Sequence, residues 1–127
     1  LSSELVSAAR NRYGGPRRAF INGDILELND IPRADISFLS GTLNFRIGDN
    51  LPYTQTILKR MYELSREAVS VNFLSSYVDF QSDKNFHYSP SEILEYAKTL
   101  TPWVNVYHDY PLWEFTLQMF TKSPEAG

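Results

Sequence analysis

The chain has 127 residues, 43% hydrophobic and 21% charged, with a net charge of −3. That suffices for one domain with a packed core and argues against an intrinsically disordered chain. There is no cysteine, which excludes disulfides and thiolate-held zinc, and a pI near 5.3 speaks against a dedicated nucleic-acid binder.

The chain opens in a helix. Leu5, Ala8, Ala9 and Arg12 share one face, Ser2 or Ser3 stands at the capping position, and Gly14-Gly15-Pro16 ends the turn pattern. Residues 18–21 (Arg-Ala-Phe-Ile) then read as a short strand closed by Asn22-Gly23-Asp24, and residues 25–31 as a loop or single turn before Pro32. Ala34 to Leu39 is the next strand, ended by Ser40-Gly41, with a loop over 43–50. The spacing of Ile57, Met61, Leu64 and Ala68 predicts a helix over about 53–68. Residues 69–74 form a strand of β-formers ended by Ser75-Ser76, and 77–88 a polar, aromatic loop. Ser89-Pro90-Ser91-Glu92 is the clearest local signal: a capping serine, proline at the first helical position and glutamate three residues on. Its helix runs to about Leu100 with Ile93, Ala97 and Leu100 inward. A strand over 103–108, a turn through Tyr110-Pro111-Leu112 and a last strand from Glu114 to Phe120 complete the series. Residues 123–127 read as a disordered end.

The order α-β-β-α-β-α-β-β implies an α/β fold with a mostly parallel sheet and right-handed crossovers. The last two strands are joined by too few residues for a crossover, so they form an antiparallel hairpin. Aromatic residues make up 14% of the chain, which suits an apolar ligand site, a core or an interface alike. Residues 1–67 carry nine basic and eight acidic side chains, residues 68–127 three and seven. The acidic second half is a poor partner for a phosphate backbone or an anionic membrane. No apolar run reaches the ~18 residues a span needs, and Leu1-Ser2-Ser3-Glu4 does not open like a signal peptide, so a cytoplasmic protein is expected.

Four segments carry a resemblance: Phe20-Ile21-Asn22-Gly23-Asp24-Ile25; Asp35-Ile36-Ser37-Phe38-Leu39-Ser40-Gly41-Thr42-Leu43-Asn44; Val71-Asn72-Phe73-Leu74-Ser75-Ser76-Tyr77; and His108-Asp109-Tyr110-Pro111-Leu112-Trp113-Glu114-Phe115-Thr116. In this order they resemble the third, fourth and fifth strands and the terminal hairpin of a class I S-adenosylmethionine-dependent methyltransferase, in particular a bacterial group of unassigned substrate. The resemblance implies a Rossmann-like sheet that lacks the first two strands, with residues 1–122 as a partial methyltransferase domain. It also implies cofactor contacts at Asp24, Ile25, Ser40, Gly41 and Leu43. A carboxylate such as Asp24 would accept from the adenine amine, although Asn-Gly-Asp after a strand also reads as a plain turn. Asn44, Tyr77, Tyr88, Asp109 and Tyr110 would lie on the substrate side, because ligands of open α/β sheets sit beyond the carboxyl ends of the strands.

The sequence departs from the family in two respects: it lacks both the glycine-rich loop after the first strand and the ribose-binding acidic residue that ends the second. It contains no G-x-G-x-G; Gly14-Gly15 and Gly41 are isolated. The family's first two strands would lie upstream of Leu1, so the chain looks like a fragment, weak or inactive by itself toward S-adenosylmethionine. The family's strand order, 3-2-1-4-5-7-6, would leave a gap between strand 18–21 and strand Ala34–Leu39. Either the two close up, or the chain forms a homodimer, or a missing N-terminal segment completes it.

Methyl transfer from a sulfonium needs positioning above all, and a general base only where the acceptor must shed a proton. His108 is the candidate base by type, with a hydrogen-bonded residue at a strand end as the alternative. His87 reads as a solvated loop residue, and Asp79, Asp83 and His87 match no metal spacing. The function expected is methyl transfer to an unidentified small molecule, with no metal, membrane or nucleic-acid partner. The alternatives are a non-catalytic interaction domain derived from such an enzyme and another nucleotide-using α/β enzyme.

Overall fold

The computed structural model describes residues 2–123, so the expected disorder of the end lies, from residue 124 on, outside the described residues. The chain divides into two compact units, residues 1–31 and 32–127. No described helix is long and apolar enough to cross a membrane.

The first unit holds α1, Ser3–Tyr13. Ser2 caps it, its Oγ accepting from the Leu5 N–H at 3.1 Å. Glu4 in the first turn and Arg10 and Arg12 in the last complement the helix dipole. The strand expected over 18–21 does not form; only an isolated bridge joins Gly15 and Arg18. The Arg10 guanidinium donates to the Phe20 carbonyl at 2.7 Å and that of Arg18 to the Tyr13 carbonyl at 3.0 Å. The side chains of the helix and the segment itself thus satisfy backbone acceptors that a neighbouring strand would otherwise have to supply for, and a short strand without a neighbour has no stability of its own.

The second unit contains β1 (Ala34–Leu39), α2 (Asn50–Leu64), β2 (Ser65–Leu74), α3 (Pro90–Leu100), β3 (Trp103–Tyr107) and β4 (Glu114–Phe120). They build a four-stranded sheet of order β1-β2-β4-β3. β1 and β2 are parallel, and β4 lies antiparallel to both β2 and β3. Three strands therefore point one way and one runs against them, a mixed sheet closed by the expected hairpin.

Alternation decides what each strand buries. Val69, Val71 and Phe73 of β2 and Phe115, Leu117 and Met119 of β4 are fully enclosed, together with Ile57, Leu58 and Met61 of α2 and Ile93 and Ala97 of α3. Their neighbours Ser70, Asn72, Thr116 and Gln118 face the other way and are half-buried. On that second face Ile36 and Phe38 of the edge strand β1 are exposed, Phe38 at 75%.

α2 starts three residues earlier and ends four earlier than the sequence pattern suggests. Asn50 anchors the start: its Oδ1 accepts from Ile47 N–H and its Nδ2 donates to the Phe45 carbonyl, both at 2.8 Å. Ser65 sets the end. Its hydroxyl donates to the Met61 carbonyl at 2.7 Å and meets Ser37 Oγ at 2.6 Å. The chain passes from helix to strand with no loop, so Ala68, which extends the helical stripe in sequence, pairs with Ile36 in the sheet instead. α3 begins where the capping signal puts it, with Ser89 Oγ accepting from Glu92 N–H.

Tyr88 ties the layers together. At 1% exposure, its hydroxyl donates to the Leu43 carbonyl at 3.0 Å and lies 2.7 Å from Thr54 Oγ1. Tyr88→Phe strands a buried acceptor and is expected to lower the unfolding free energy by about 1–3 kcal/mol. Urea denaturation reads this directly; an unchanged midpoint would show the hydroxyl to be dispensable.

Candidate functional site

The carboxyl ends of β1 and β2 and the loop between β3 and β4 carry most of the chemistry-bearing side chains. At β1, Ser40 Oγ accepts from Asn72 Nδ2 at 3.3 Å. Gly41 follows with φ of +79°, in the left-handed region that favours glycine, and a Cβ there would meet nothing within 4 Å. Leu43 is a core residue, so its side chain serves packing. Asn44 is half-buried; its carbonyl accepts from Phe86 N–H at 2.8 Å, while its Oδ1 is buried with no hydrogen-bond partner. Asp24 and Ile25 belong to the first unit. There the Asp24 carboxylate accepts from Leu26 N–H at 2.9 Å and its carbonyl from Glu27 and Leu28, the geometry of an Asx turn.

At the end of β2, Ser75 is fully buried and every polar atom it owns is engaged. Its N–H donates to the Trp113 carbonyl at 3.0 Å. Its carbonyl accepts from His87 Nδ1 at 2.8 Å. Its Oγ lies 2.7 Å from His108 Nε2 and accepts from Tyr77 N–H at 3.1 Å. One serine thus gathers both histidines. His108 is stacked beside Phe115 and edge-on to Tyr77, each at 6.0 Å between centroids. With Nε2 held by Ser75, the ring has Nδ1 left for other partners. Tyr77 and Asp109 are exposed, whereas Tyr88 is enclosed in the core, so only the first two reach a ligand directly.

A polar row crosses the open face of the sheet. Thr116 Oγ1 donates to Asn72 Oδ1 at 2.9 Å and lies 2.9 Å from the Tyr110 hydroxyl. Burial holds the Tyr110 phenol above its ordinary pKa; the Thr116 hydrogen bond pulls it down, and the Glu114 and Asp109 carboxylates push it up.

Two clefts flank Trp113. One, of about 390 Å³, is lined by Tyr77, His108, Tyr110 and Leu112. The other, of about 570 Å³, includes Leu74, Val78, Asp79, Phe80 and His87. His108 and His87 therefore stand in neighbouring clefts. Sequence reading puts Ser75 and the His87 loop at the site end of the sheet but gives neither residue a role, and it does not single out Phe80 or Trp113. Ser75 looks like a strand terminator, and apart from Tyr77 its partners His87, His108 and Trp113 stand 12 to 38 positions away along the chain. Among the described residues no group of three or more His, Cys, Asp or Glu could hold a metal ion.

Ser75→Ala removes the hydroxyl beside His108 but keeps the carbonyl that holds His87. It is expected to lower stability by about 1–3 kcal/mol and to shift the imidazole resonances of His108 far more than those of His87. Equal shifts, or none, would contradict the pairing.

No family model and no curated protein sequence matches the chain. In fold it is similar to magnesium protoporphyrin IX methyltransferase (ChlM) from Synechocystis PCC 6803. The structure with bound SAH superposes with a TM-score of 0.65 at 9% identity, covering 93% of this chain and 57% of that one. The structure with bound SAM gives 0.65 at 10%, covering 95% and 56%. The chain thus spans less than two thirds of the length of either, and its α/β sheet corresponds to part of a methyltransferase fold.

Proposed function

We propose that this chain is part of an S-adenosylmethionine-dependent methyltransferase acting on a small molecule. The observation that carries the proposal is the likeness in fold to structures holding SAH and SAM. The residues at the end of β1 fit such a ligand. Gly41 leaves room against the backbone, and the unpartnered Asn44 Oδ1 is an acceptor that lacks a donor. Ser40, Gly41 and the backbone of Leu43 would hold the nucleoside side.

The bound group would supply an electrophilic methyl carbon. The chain's own residues position the acceptor beside it. Tyr77, Asp109 and Tyr110 offer polar contacts on the acceptor side, and His108, steadied by Ser75, offers a ring nitrogen for a proton. Proton-NMR-detected titration of the isotope-labelled chain with S-adenosylhomocysteine tests the reading. Amide shifts at Ser40, Gly41 and Leu43 are expected, with a dissociation constant weaker than about 100 μM, because the sequence has no glycine-rich loop to add its share. Shifts elsewhere, or none at millimolar ligand, would favour the second reading, a non-catalytic binding domain on the same fold.

For the partner we propose a second copy. β1 is an edge of the sheet, with Ile36 and Phe38 exposed, and such an edge is a template for another strand. Sedimentation at micromolar concentration should give a dimer that Phe38→Lys weakens; a monomer would refute it.

A further inference from the structure

The larger cleft has a composition of its own. Leu74, Val78, Phe80 and Trp113 supply apolar walls, and four polar residues stand between them: the neutral Ser82 and Asn85, and Asp79 and His87. Phe80 and Trp113 are open to solvent, at 80% and 62%. No lysine or arginine lines the cleft. Asp79 makes neither ion pair nor hydrogen bond with any described residue.

The state of His87 follows from its partner. A backbone carbonyl can only accept, so the contact to Ser75 puts the hydrogen on Nδ1. In the neutral ring Nε2 is then a lone-pair acceptor, and no described residue occupies it. The cleft therefore presents apolar and aromatic walls, one carboxylate and one imidazole acceptor, beside the uncharged Ser82 and Asn85. Aromatic faces attract cations, the carboxylate attracts them again, and the imidazole nitrogen takes an N–H. Each of the three features favours the same ligand and disfavours an anion.

We infer that this cleft binds an arylalkylamine: a flat ring against Phe80 and Trp113, with its ammonium group toward Asp79 and His87. Under the methyl-transfer reading, on which only the fate of the ligand rests, the amine is the acceptor class. An ammonium must release a proton to Nε2 of His87 before its nitrogen has a lone pair to offer. This gives His87 a role distinct from that of His108, whose Nε2 is held by Ser75.

The test is binding to the full chain without any methyl donor, so that its outcome is independent of the S-adenosylhomocysteine titration. The chain has two tryptophans, Trp103 and Trp113, and Trp103→Phe leaves Trp113 as the fluorescent reporter. 2-Phenylethylammonium and 3-phenylpropionate share size and ring but differ in charge. The ammonium is expected to quench Trp113 with an affinity at least about tenfold higher than the carboxylate. Asp79→Asn, at an exposed loop position, should shrink that preference to about threefold or less, and His87→Phe should weaken the ammonium about tenfold. Glu67→Gln, exposed on β2 and outside the cleft, should change neither. Equal affinity for the two probes, a preference for the carboxylate, no quenching at millimolar ligand, or indifference to Asp79→Asn would each overturn the inference. Binding of the amine with no response to S-adenosylhomocysteine would keep the cleft and discard the methyl-transfer reading; the reverse would keep the enzyme and discard the amine.

Discussion

A buried serine at the end of a central strand must have every polar atom satisfied, and that demand organises the functional end of this protein. Ser75 lies beyond the last residue of β2 with no water to fall back on. Its N–H turns to the β3–β4 hairpin, its carbonyl to the loop before α3, and its hydroxyl to the start of that hairpin. The loop and the hairpin are far apart in sequence and share no strand pairing. Through Ser75 they are fixed to the same point, and the ring of Trp113 divides the space between them into two clefts.

Just behind this point the core begins. Tyr88 forms a backbone bridge with Ser75, and its ring packs against Phe73 and Phe86 at 4.8 and 4.7 Å between centroids. Its hydroxyl reaches Leu43 and Thr54, so the loop after β1 and the start of α2 are held from the same side chain. The wall of the site and the packing of the helices on the sheet are consequently one structure. A residue type that would suit a ligand surface, an aromatic with a polar tip, is spent here on joining layers.

Where sequence order coincides with spatial order, the fold was legible in the chain itself. Ser89 and Pro90 start α3 where a local capping rule puts them, and alternation alone delimits β4. The segment 18–21 has the composition of a strand, but strand formation depends on a neighbour, which composition does not report. Ala68 satisfied a helical stripe and a sheet position equally well, and the hydroxyl of Ser65 decided between them. The candidate site was legible as a region, through the rule that ligands gather at strand ends. Which histidine stands free there was not, because the tautomer and the vacancy of each ring depend on contacts to Ser75 from 12 and 33 residues away.

The junction between α2 and β2 has a further consequence. Because Leu64 ends the helix and Ser65 begins the strand, the two elements share a single phase. A helix advances about 100° per residue and a strand alternates by two. With no spacer to absorb a mismatch, one inserted residue would either swing the stripe of Ile57, Leu58 and Met61 away from the sheet or turn Val69, Val71 and Phe73 outward. A change in length is better absorbed in the loops, and the loop after β2 is the one that lines both clefts. The scaffold is fixed in register where it packs and free in length along the cleft-lining loop, so the shape of the clefts can change without disturbing the core.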